Sequence, residues 1–235
     1  MTILLQLKDV HTHIGQYHIL QGININIMEN EVNVLLGRNG AGKTTTLKTI
    51  MGLTPASKGS VHLHDQDITK KMTYEIANMG IGYVPEDQGI FGDLTVEENL
   101  RVAMRKEDEA TLKKHEYVLD LFPDLKTFWK KAGGKLSGGQ KQMLAMARAF
   151  VNDSEMLLID EPSKGLAPIV VEKVMEAINE MKKTTTIVLV EQNFLMASRI
   201  GDHFTIIDDG ETVHHGAMSV LIDDHELKQK YLGIG

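Results

Sequence analysis

The sequence predicts an α/β fold in which a mainly parallel sheet carries helices on both faces. Two observations lead to this prediction. Short, continuously apolar runs alternate with longer amphipathic stretches, which is the order of elements in sheets whose parallel strands are buried on both faces. One of these runs leads directly into a glycine-rich stretch, residues 37–45, whose spacing is typical of loops that bind phosphate.

The first part of the chain predicts an antiparallel sheet beside this parallel core. Residues 3–10 and 19–27 are expected to form strands, because isoleucine and asparagine alternate between positions 23 and 27. Such alternation is the period of a half-buried strand. Residues 61–64 alternate in the same way and predict a further strand of this layer.

The glycine-rich stretch matches G-x-x-x-x-G-K-[ST] through Gly37, Gly42, Lys43 and Thr44. Glycines let successive backbone N–H groups face a phosphate, the lysine reaches the β- and γ-phosphates, and the threonine hydroxyl ligates Mg²⁺. A helix is expected over residues 45–51, so its N-terminus adds a favourable dipole. The predicted ATP-binding residues are Gly37, Arg38, Asn39, Gly40, Ala41, Gly42, Lys43, Thr44 and Thr45.

The alternation of buried strands and amphipathic helices continues through the rest of the chain. The further expected strands are 32–36, 81–84, 156–161, 186–190, 204–207 and 212–213, and the further expected helices are 109–122, 141–150, 168–182 and 217–232.

The region from about residue 86 to residue 150 is expected to be a helical insertion without a linker of its own. Thr95 and Glu98 have the capping-box pattern at the start of one of its helices. Residues 1–85 and 151–235 would then form a nucleotide-binding core with its antiparallel layer. The whole chain is predicted to be a single domain.

Two acidic residues, Asp160 and Glu161, end the apolar run predicted as a strand over 156–161. The carboxylate of Asp160 would hold Mg²⁺ beside Thr44. Because side chains alternate in an extended chain, Glu161 is expected to point away from Asp160 and to act as general base on an attacking water. The alternative interpretation is a solvated acidic end of a strand. Together with the glycine-rich loop, the pair favours an ATP-hydrolysing site.

A third motif precedes an amphipathic helix and resembles the signature of ABC-type ATPases. Its serine and glycines open the helix, so free N–H groups and a hydroxyl are available to a γ-phosphate. The resemblance covers essentially the whole chain and implies the ABC ATPase fold, in which this motif faces the ATP of a second subunit in a head-to-tail dimer. A glycine linker before a helix would not explain three motifs in this order. The motif residues are Leu136, Ser137, Gly138, Gly139 and Gln140.

Further positions are similar to the ATP-binding subunits of branched-chain amino acid importers. Gln192 stands where most ABC ATPases have histidine, Glu86 where most have glutamine, and Ala167 where many have aspartate. The resemblance implies that Gln192 acts in catalysis with Glu161, through an amide that orients water or binds phosphate. It also implies that Glu86 is a further candidate ligand of Mg²⁺.

The residue that stacks on adenine is expected to be His13 or Tyr17. Relatives often have an aromatic residue immediately before the glycine aligned with Gly15, and this chain has Ile14 there. The paired histidines of the chain are interpreted as solvent-facing strand residues and not as metal ligands, because no cysteine accompanies them.

Composition narrows the range of partners. The net charge of −7 argues against binding of nucleic acid through a basic surface, and the absence of cysteine excludes disulfides. No apolar run approaches the ~20 residues that span a bilayer, and the first residues lack the pattern of a signal peptide. A membrane role is therefore expected to depend on partner proteins.

The resemblance implies an ATPase, with ATP and Mg²⁺, that powers import of branched-chain type amino acids from the cytoplasmic face of the membrane. Its implied partners are permease subunits, a second ABC ATPase subunit, favoured to be a paralogue, and indirectly an extracytoplasmic binding protein. The alternatives are an ABC ATPase for urea or an amide, one for lipopolysaccharide-type export, and a non-transport ABC ATPase. A phosphate-loop kinase or GTPase is disfavoured, because the signature has no role in either.

Overall fold

The computed structural model describes residues 2–106 and 108–234, which form two sheets with helices packed around them. The strands are β1 (Ile3–Ile14), β2 (Tyr17–Met28), β3 (Val32–Leu36), β4 (Lys58–Leu63), β5 (Gln66–Asp67), β6 (Ile81–Val84), β7 (Met156–Asp160), β8 (Thr186–Val190), β9 (His203–Asp208) and β10 (Glu211–Ala217). The α-helices are α1 (Lys43–Ile50), α2 (Thr73–Asn78), α3 (Val96–Ala103), α4 (Glu109–Leu121), α5 (Pro123–Thr127), α6 (Gly138–Phe150), α7 (Pro168–Met181), α8 (Phe194–Ile200), α9 (Met218–Asp223) and α10 (His225–Leu227).

The larger sheet has six strands in the order β10-β9-β3-β8-β7-β6. Five of them run parallel, and only β10 pairs antiparallel, with β9. Strands β3, β7 and β8 are buried along their whole length, as expected for strands covered on both faces. The carboxyl ends of the parallel strands therefore lie along one edge of this sheet.

The smaller sheet is antiparallel, in the order β2-β1-β4-β5. The two strands predicted at 3–10 and 19–27 are confirmed, and both extend further towards a tight hairpin turn. The sequence pattern ends early because the residues near the turn do not continue the alternation of apolar and polar side chains, although their backbones still pair across the hairpin.

Alternate side chains of the parallel strands divide the apolar core in two. Val34 and Ile159 point to the side covered by α6, α7 and α8, whereas Leu35 and Leu158 point to the side that contains α1 and the smaller sheet. This arrangement confirms the predicted α/β class, with a mainly parallel sheet between helices and an antiparallel layer.

Two helix predictions are wrong in detail. The helix expected at 45–51 begins at Lys43, because the last residues of the glycine-rich loop already form its first turn and Gly42 precedes it as N-cap. The tail expected as one helix over 217–232 is divided at Asp224. The carboxylate of Asp224 accepts a hydrogen bond of 2.9 Å from the backbone N–H of Leu227, and so it caps a new helix there. The rest of the tail, Lys228–Leu232, forms a π-helical turn.

Helices α3 to α6 occupy the region proposed as a helical insertion, residues 86–150. At the start of α3, Thr95 and Glu98 form the expected capping box, each side chain accepting from the other's backbone N–H. Buried side chains of α3 and α6 belong to the same apolar core as the larger sheet. The division into an insertion and a nucleotide-binding core remains a proposal. Among the described residues, no helix combines the length and the apolar composition needed to cross a bilayer.

Candidate functional site

Four segments that are distant in sequence meet at the carboxyl edge of the larger sheet. Residues 37–45 follow β3, Glu86 follows β6, Glu161 follows β7 and Gln192 follows β8. In open α/β sheets, ligands bind outside the carboxyl ends of the strands. The topology therefore places the predicted ATP-binding, metal-binding and catalytic residues along one edge.

Two glycines of the loop after β3 have conformations that other residues would not tolerate. Gly37 has φ +147° and Gly42 has φ +109°. A Cβ on Gly37 would lie 2.1 Å from the carbonyl oxygen of Ile207, and a Cβ on Gly42 would lie 2.8 Å from Cδ2 of Leu20. The close approach of β9 and β2 thus explains why this loop needs glycine at both positions.

The Lys43 side chain is folded into this loop, with 5% of its surface exposed. Its ammonium donates hydrogen bonds to the carbonyl oxygens of Gly37 at 2.8 Å and Arg38 at 3.0 Å. Burial lowers the pKa of Lys43, and the carboxylates of Glu161 and Asp160 oppose that shift. The loop therefore encloses a positive charge beside the backbone N–H groups of α1.

Thr44 and Asp160 contact each other directly. The hydroxyl of Thr44 donates to Oδ1 of Asp160 at 3.0 Å, and the hydroxyl of Tyr83 donates to Oδ2 at 3.4 Å. Asp160 is 1% exposed, and burial raises its pKa to about 6. The charges of Glu161 and Glu86 act in the same direction, while the hydrogen bond from Thr44 opposes them.

A cleft of about 530 Å³ opens beside this pair. Its hydroxyl and carboxylate oxygens are the hard ligands that Mg²⁺ prefers, so the donor set fits this metal. Thr44, Asp160 and Glu86, the three predicted metal ligands, all line it. The lining residues are Thr44, Lys48, Leu53, Tyr83, Pro85, Glu86, Asp87 and Asp160.

Glu161 departs from the extended conformation expected from the sequence. Its φ is +47°, because the chain leaves β7 in a turn in which the N–H of Lys164 donates to the carbonyl oxygen of Glu161 at 3.2 Å. Non-glycine residues rarely adopt this region, and such residues concentrate at functional sites. The expectation based on alternation along a strand was wrong, since the strand has already ended.

The Glu161 side chain is held at both carboxylate oxygens. Oε1 accepts a hydrogen bond from the amide of Gln192, and Oε2 lies 3.4 Å from the ammonium of Lys164. The side chain is only 8% exposed. The fold thus brings the two residues predicted as catalytic into direct contact.

Sequence reasoning did not assign a role to Lys164. Its ammonium lies 2.5 Å from Oε1 of Glu86, in addition to its contact with Glu161. The hydrogen bond to Glu86 raises the pKa of Lys164, and the charge of Glu161 adds to this effect. The only signal in the sequence is its position three residues after Glu161, where a turn brings the two side chains together.

Sequence reasoning also missed Glu191, which immediately precedes Gln192. Glu191 is 2% exposed, and its Oε1 accepts from the backbone N–H groups of Gln192 at 2.8 Å and Asn193 at 3.0 Å. Burial raises the pKa of Glu191, and these hydrogen bonds oppose the shift. The carboxylate thereby fixes the backbone on which Gln192 stands. The signal in the sequence that pointed to Glu191 was its place directly after a fully apolar run.

The signature residues cap α6. Ser137 Oγ accepts from the N–H of Gln140 at 3.3 Å, and Gln140 Oε1 accepts from the N–H of Ser137 at 2.9 Å. Gly139 lets α6 pack closely on α7, because a Cβ there would lie 2.7 Å from Cγ1 of Val170. Across residues 2–106 and 108–234, no hydrogen bond joins the signature to residues 37–45.

The signature is instead connected to the loop that carries Glu86. The amide of Gln88 donates to the carbonyl oxygen of Gly138 at 3.4 Å, and Leu136 is buried in the core. The same loop thus contacts both the metal-binding cleft, through Glu86, and the signature helix, through Gln88.

Both candidates for adenine stacking lie near the β1–β2 turn. The ring of His13 is stacked on that of His18, with centroids 4.2 Å apart and planes 1° apart, so one of its faces is covered. Tyr17 is 66% exposed at the turn. The side chain of Leu20, in β2, lies close to Gly42 of the glycine-rich loop. The identity of the residue that stacks on adenine stays a prediction. No group of three or more histidine, cysteine or acidic side chains in the described chain has the geometry to hold a metal.

Comparisons with known proteins identify the family of this chain. The family model described as ABC transporter matches residues 20–164. The chain is 34% identical to a high-affinity branched-chain amino acid transport ATP-binding protein, BraG, of Pseudomonas aeruginosa, over 98% of this chain and 100% of that protein. It is 35% identical to a probable branched-chain amino acid transport ATP-binding protein, LivF, of Archaeoglobus fulgidus, over 97% and 99% of the two chains.

A solved structure extends the comparison to the fold and to assembly. A dimeric ATP-binding cassette in a post-hydrolysis state, bound to ADP and phosphate, has a TM-score of 0.80 and 25% identity, covering 91% of this chain and 98% of that one. A similar cassette therefore forms a dimer and binds nucleotide. Taken with the carboxyl-edge site, these matches show that the chain belongs to the ABC transporter family, as an ATP-binding ATPase subunit.

Proposed function

We propose that this chain hydrolyses ATP at the cytoplasmic face of a membrane and thereby powers import of branched-chain type amino acids. The hydrogen bond between Thr44 and Asp160, next to the Glu161–Gln192 contact, is the observation that carries the hydrolytic part. The cargo class rests on the two relatives, which are named for branched-chain amino acid transport and match over nearly their whole length.

The triphosphate would bind at residues 37–45. The backbone N–H groups at the start of α1 and the ammonium of Lys43 supply the positive end of the site. The ammonium of Lys43 donates to carbonyls of its own loop, and phosphate oxygens would take their place as acceptors. The loop therefore holds a charged donor in place at the proposed phosphate site.

Thr44 and Asp160 would hold Mg²⁺, with Glu86 as a further ligand. Bound Mg²⁺ neutralises negative charge on the phosphates and makes their terminal phosphorus more susceptible to attack. With a pKa of about 6, the carboxyl of Asp160 is mainly ionised at neutral pH, as a metal ligand must be.

Glu161 would accept the proton of the attacking water. Its carboxylate is held by the amide of Gln192, and this amide has no proton-accepting function at neutral pH. Glu161 is therefore the general base, and Gln192 orients it. Ser137, Gly138 and their neighbours would act on the ATP of a second subunit, which we propose to be a paralogue.

The proposed transporter also contains permease subunits and a binding protein. Permease subunits would bind the helical insertion, residues 86–150, and an extracytoplasmic binding protein would deliver cargo to them. The loop that carries Glu86 and Gln88 touches both the cleft and the signature helix, which supports its role in passing motion between ATP and the permease.

The hydrolytic role is tested with Glu161→Gln in the assembled transporter. We expect turnover to fall by about 10²–10³-fold, because the amide accepts no proton, while ATP binding is retained. Radiolabelled ATP binding and phosphate release are the two measurements. Glu211→Gln, on an exposed strand position, is the matched control. Hydrolysis near the wild-type rate in Glu161→Gln would refute the role of Glu161.

The cargo is tested by co-purifying the chain with its membrane partners and measuring which compound stimulates ATP hydrolysis. We expect stimulation by leucine, isoleucine or valine in the presence of the binding protein. Stimulation only by urea or a short amide, or dependence on lipopolysaccharide, would replace the proposed cargo without changing the hydrolytic assignment. The same preparation shows whether the second ATPase subunit is a paralogue or another copy of this chain.

A further inference from the structure

Lys164 joins the loops that follow two neighbouring strands of the larger sheet. It lies in the turn after β7, and its ammonium is 2.5 Å from Oε1 of Glu86, in the loop after β6. The same ammonium is 3.4 Å from Oε2 of Glu161. One cation therefore bridges two carboxylates. Glu86 lies 78 residues before Lys164 in the sequence, and Glu161 lies 3 residues before it.

The bridge lies in a region with an excess of negative charge. Glu86, Asp87 and Asp160 line the cleft, and Glu161 follows Asp160 directly. Lys43, a second cation near Glu161 and Asp160, is already engaged by two backbone carbonyls, and a third cation, Lys48, lines the cleft. Lys164 thus contributes positive charge at the place where Glu86 and Glu161 would otherwise repel each other.

The side chain of Lys164 is exposed enough to move away from the two carboxylates. It is 60% exposed, whereas Glu161 is nearly buried. An exposed lysine on a flexible stem gives a weak ion pair that other cations replace readily. Lys164 is therefore better suited to act as a replaceable counter-ion than as part of a permanent structural ion pair.

We propose that Lys164 is a positioning residue that serves as the counter-ion of Glu86 and Glu161 until a divalent cation and nucleotide bind, and that it competes with that cation for the negative charge of the cleft. The proposal rests on the function proposed above. It adds a chain-specific role for the turn after β7. Removing the lysine would leave the cleft more negative, so a divalent cation would bind more tightly. It would also leave Glu86 and Glu161 without the contact that holds them near each other.

Binding of Mn²⁺, followed by electron paramagnetic resonance with a non-hydrolysable ATP analogue present, tests this competition without measuring turnover. In Lys164→Met we expect the Mn²⁺ affinity to rise about three- to tenfold, because one positive charge near the metal is lost. Lys164→Arg keeps the charge and should stay within about twofold of wild type. Glu86→Gln probes the same bridge from its other side, and in that background Lys164→Met should have a smaller effect.

The matched control is Lys173→Met. Lys173 forms an ion pair with Asp124 at 3.0 Å, and the exposures of its two partners, 53% and 48%, resemble the 60% and 44% of Lys164 and Glu86. We expect no change in Mn²⁺ affinity in this variant. An affinity in Lys164→Met within twofold of wild type would overturn the proposal, provided that wild type binds the analogue. Failure of the wild type to bind the analogue would instead count against the proposed ATPase function.

Discussion

The hydroxyl of Thr44 donates a hydrogen bond of 3.0 Å to Oδ1 of Asp160, across 116 residues of sequence. Thr44 stands in the first turn of α1, after β3, and Asp160 is the last residue of β7. Strand β8 lies between β3 and β7, so this contact joins the ends of two strands that are not direct neighbours in the sheet. The hydrogen bond joins the proposed phosphate-binding loop to the proposed metal-binding carboxylate.

The buried carboxyl of Asp160 should make the stability of the metal-free protein depend on pH. Its pKa is raised from 3.8 to about 6, so it favours the folded state below pH 3.8 and loses that contribution as the pH rises through about 6. The loss amounts to about 3 kcal/mol, at 1.36 kcal/mol per pKa unit. We expect Asp160→Asn to be more stable than wild type at pH 8 by up to this amount, and equal to it near pH 4.

Urea unfolding in EDTA at several pH values measures this difference. Asp65→Asn is the control, because Asp65 is exposed and should show no growth of the difference with pH. Parallel stability curves for wild type and Asp160→Asn between pH 4 and pH 8 would contradict the assignment of the shift to Asp160.

Gln192 should affect turnover and leave nucleotide affinity nearly unchanged. Its amide holds Oε1 of Glu161, so Gln192→Ala removes the donor that orients the general base. We expect kcat to fall about 10- to 100-fold, with the Kd for ATP within about threefold of wild type. Gln192→Glu should lose more activity than Gln192→Ala, since it sets a second carboxylate against Glu161. Gln66→Ala, on the exposed β5 strand, is the control. Equal activity in the Ala and Glu variants would argue against direct contact during turnover.

Gly139 should be essential for the packing of α6 on α7. A Cβ at this position would lie 2.7 Å from Cγ1 of Val170, so Gly139→Ala must displace one helix and cost about 1–3 kcal/mol. Val170→Ala should recover most of this loss in the double variant. Gly138→Ala is the neighbouring control, because its Cβ would meet only Leu166, at 3.9 Å. Chemical denaturation measures wild type, the two single variants, the double variant and the Gly138→Ala control. Strict additivity of the two substitutions would show that the clash is not the cause.

Asn99 should stabilise the segment that leads from the cleft into α3. Its side chain is fully buried and exchanges hydrogen bonds with the N–H and carbonyl of Phe91, both at 2.9 Å, and donates to the carbonyls of Leu94 and Thr95 at 3.1 and 3.0 Å. Asn99→Ala leaves these groups unpaired and should cost about 3 kcal/mol in urea unfolding. Asn26→Ala, at an exposed strand position, should change stability by less than about 0.5 kcal/mol. A similar loss in both variants would show that the network is not important.

The elements that the sequence predicted best depend on short-range patterns. Strand 186–190 agrees with the structure residue for residue, and strand 156–161 differs only in its last residue, because a fully apolar run of that length between polar segments has few alternatives. The hairpin was predicted too short, since the residues near its tip do not continue the apolar period, although their backbones pair and histidine side chains meet across the hairpin. Helix α8 was not predicted, because its seven residues are too few to show a helical period.

By itself, the sequence determined the α/β class, the glycine-rich loop with Lys43 and Thr44, and the identity of the carboxylates at the end of β7. These features depend on residue type and local spacing. Only the tertiary structure decided that Glu161 leaves the strand with a positive φ, that Gln192 holds it, and that Lys164 bridges it to Glu86. The physical reason is that these contacts form between loops of neighbouring parallel strands, whose order in the sheet is set by packing of the whole core and not by any local pattern.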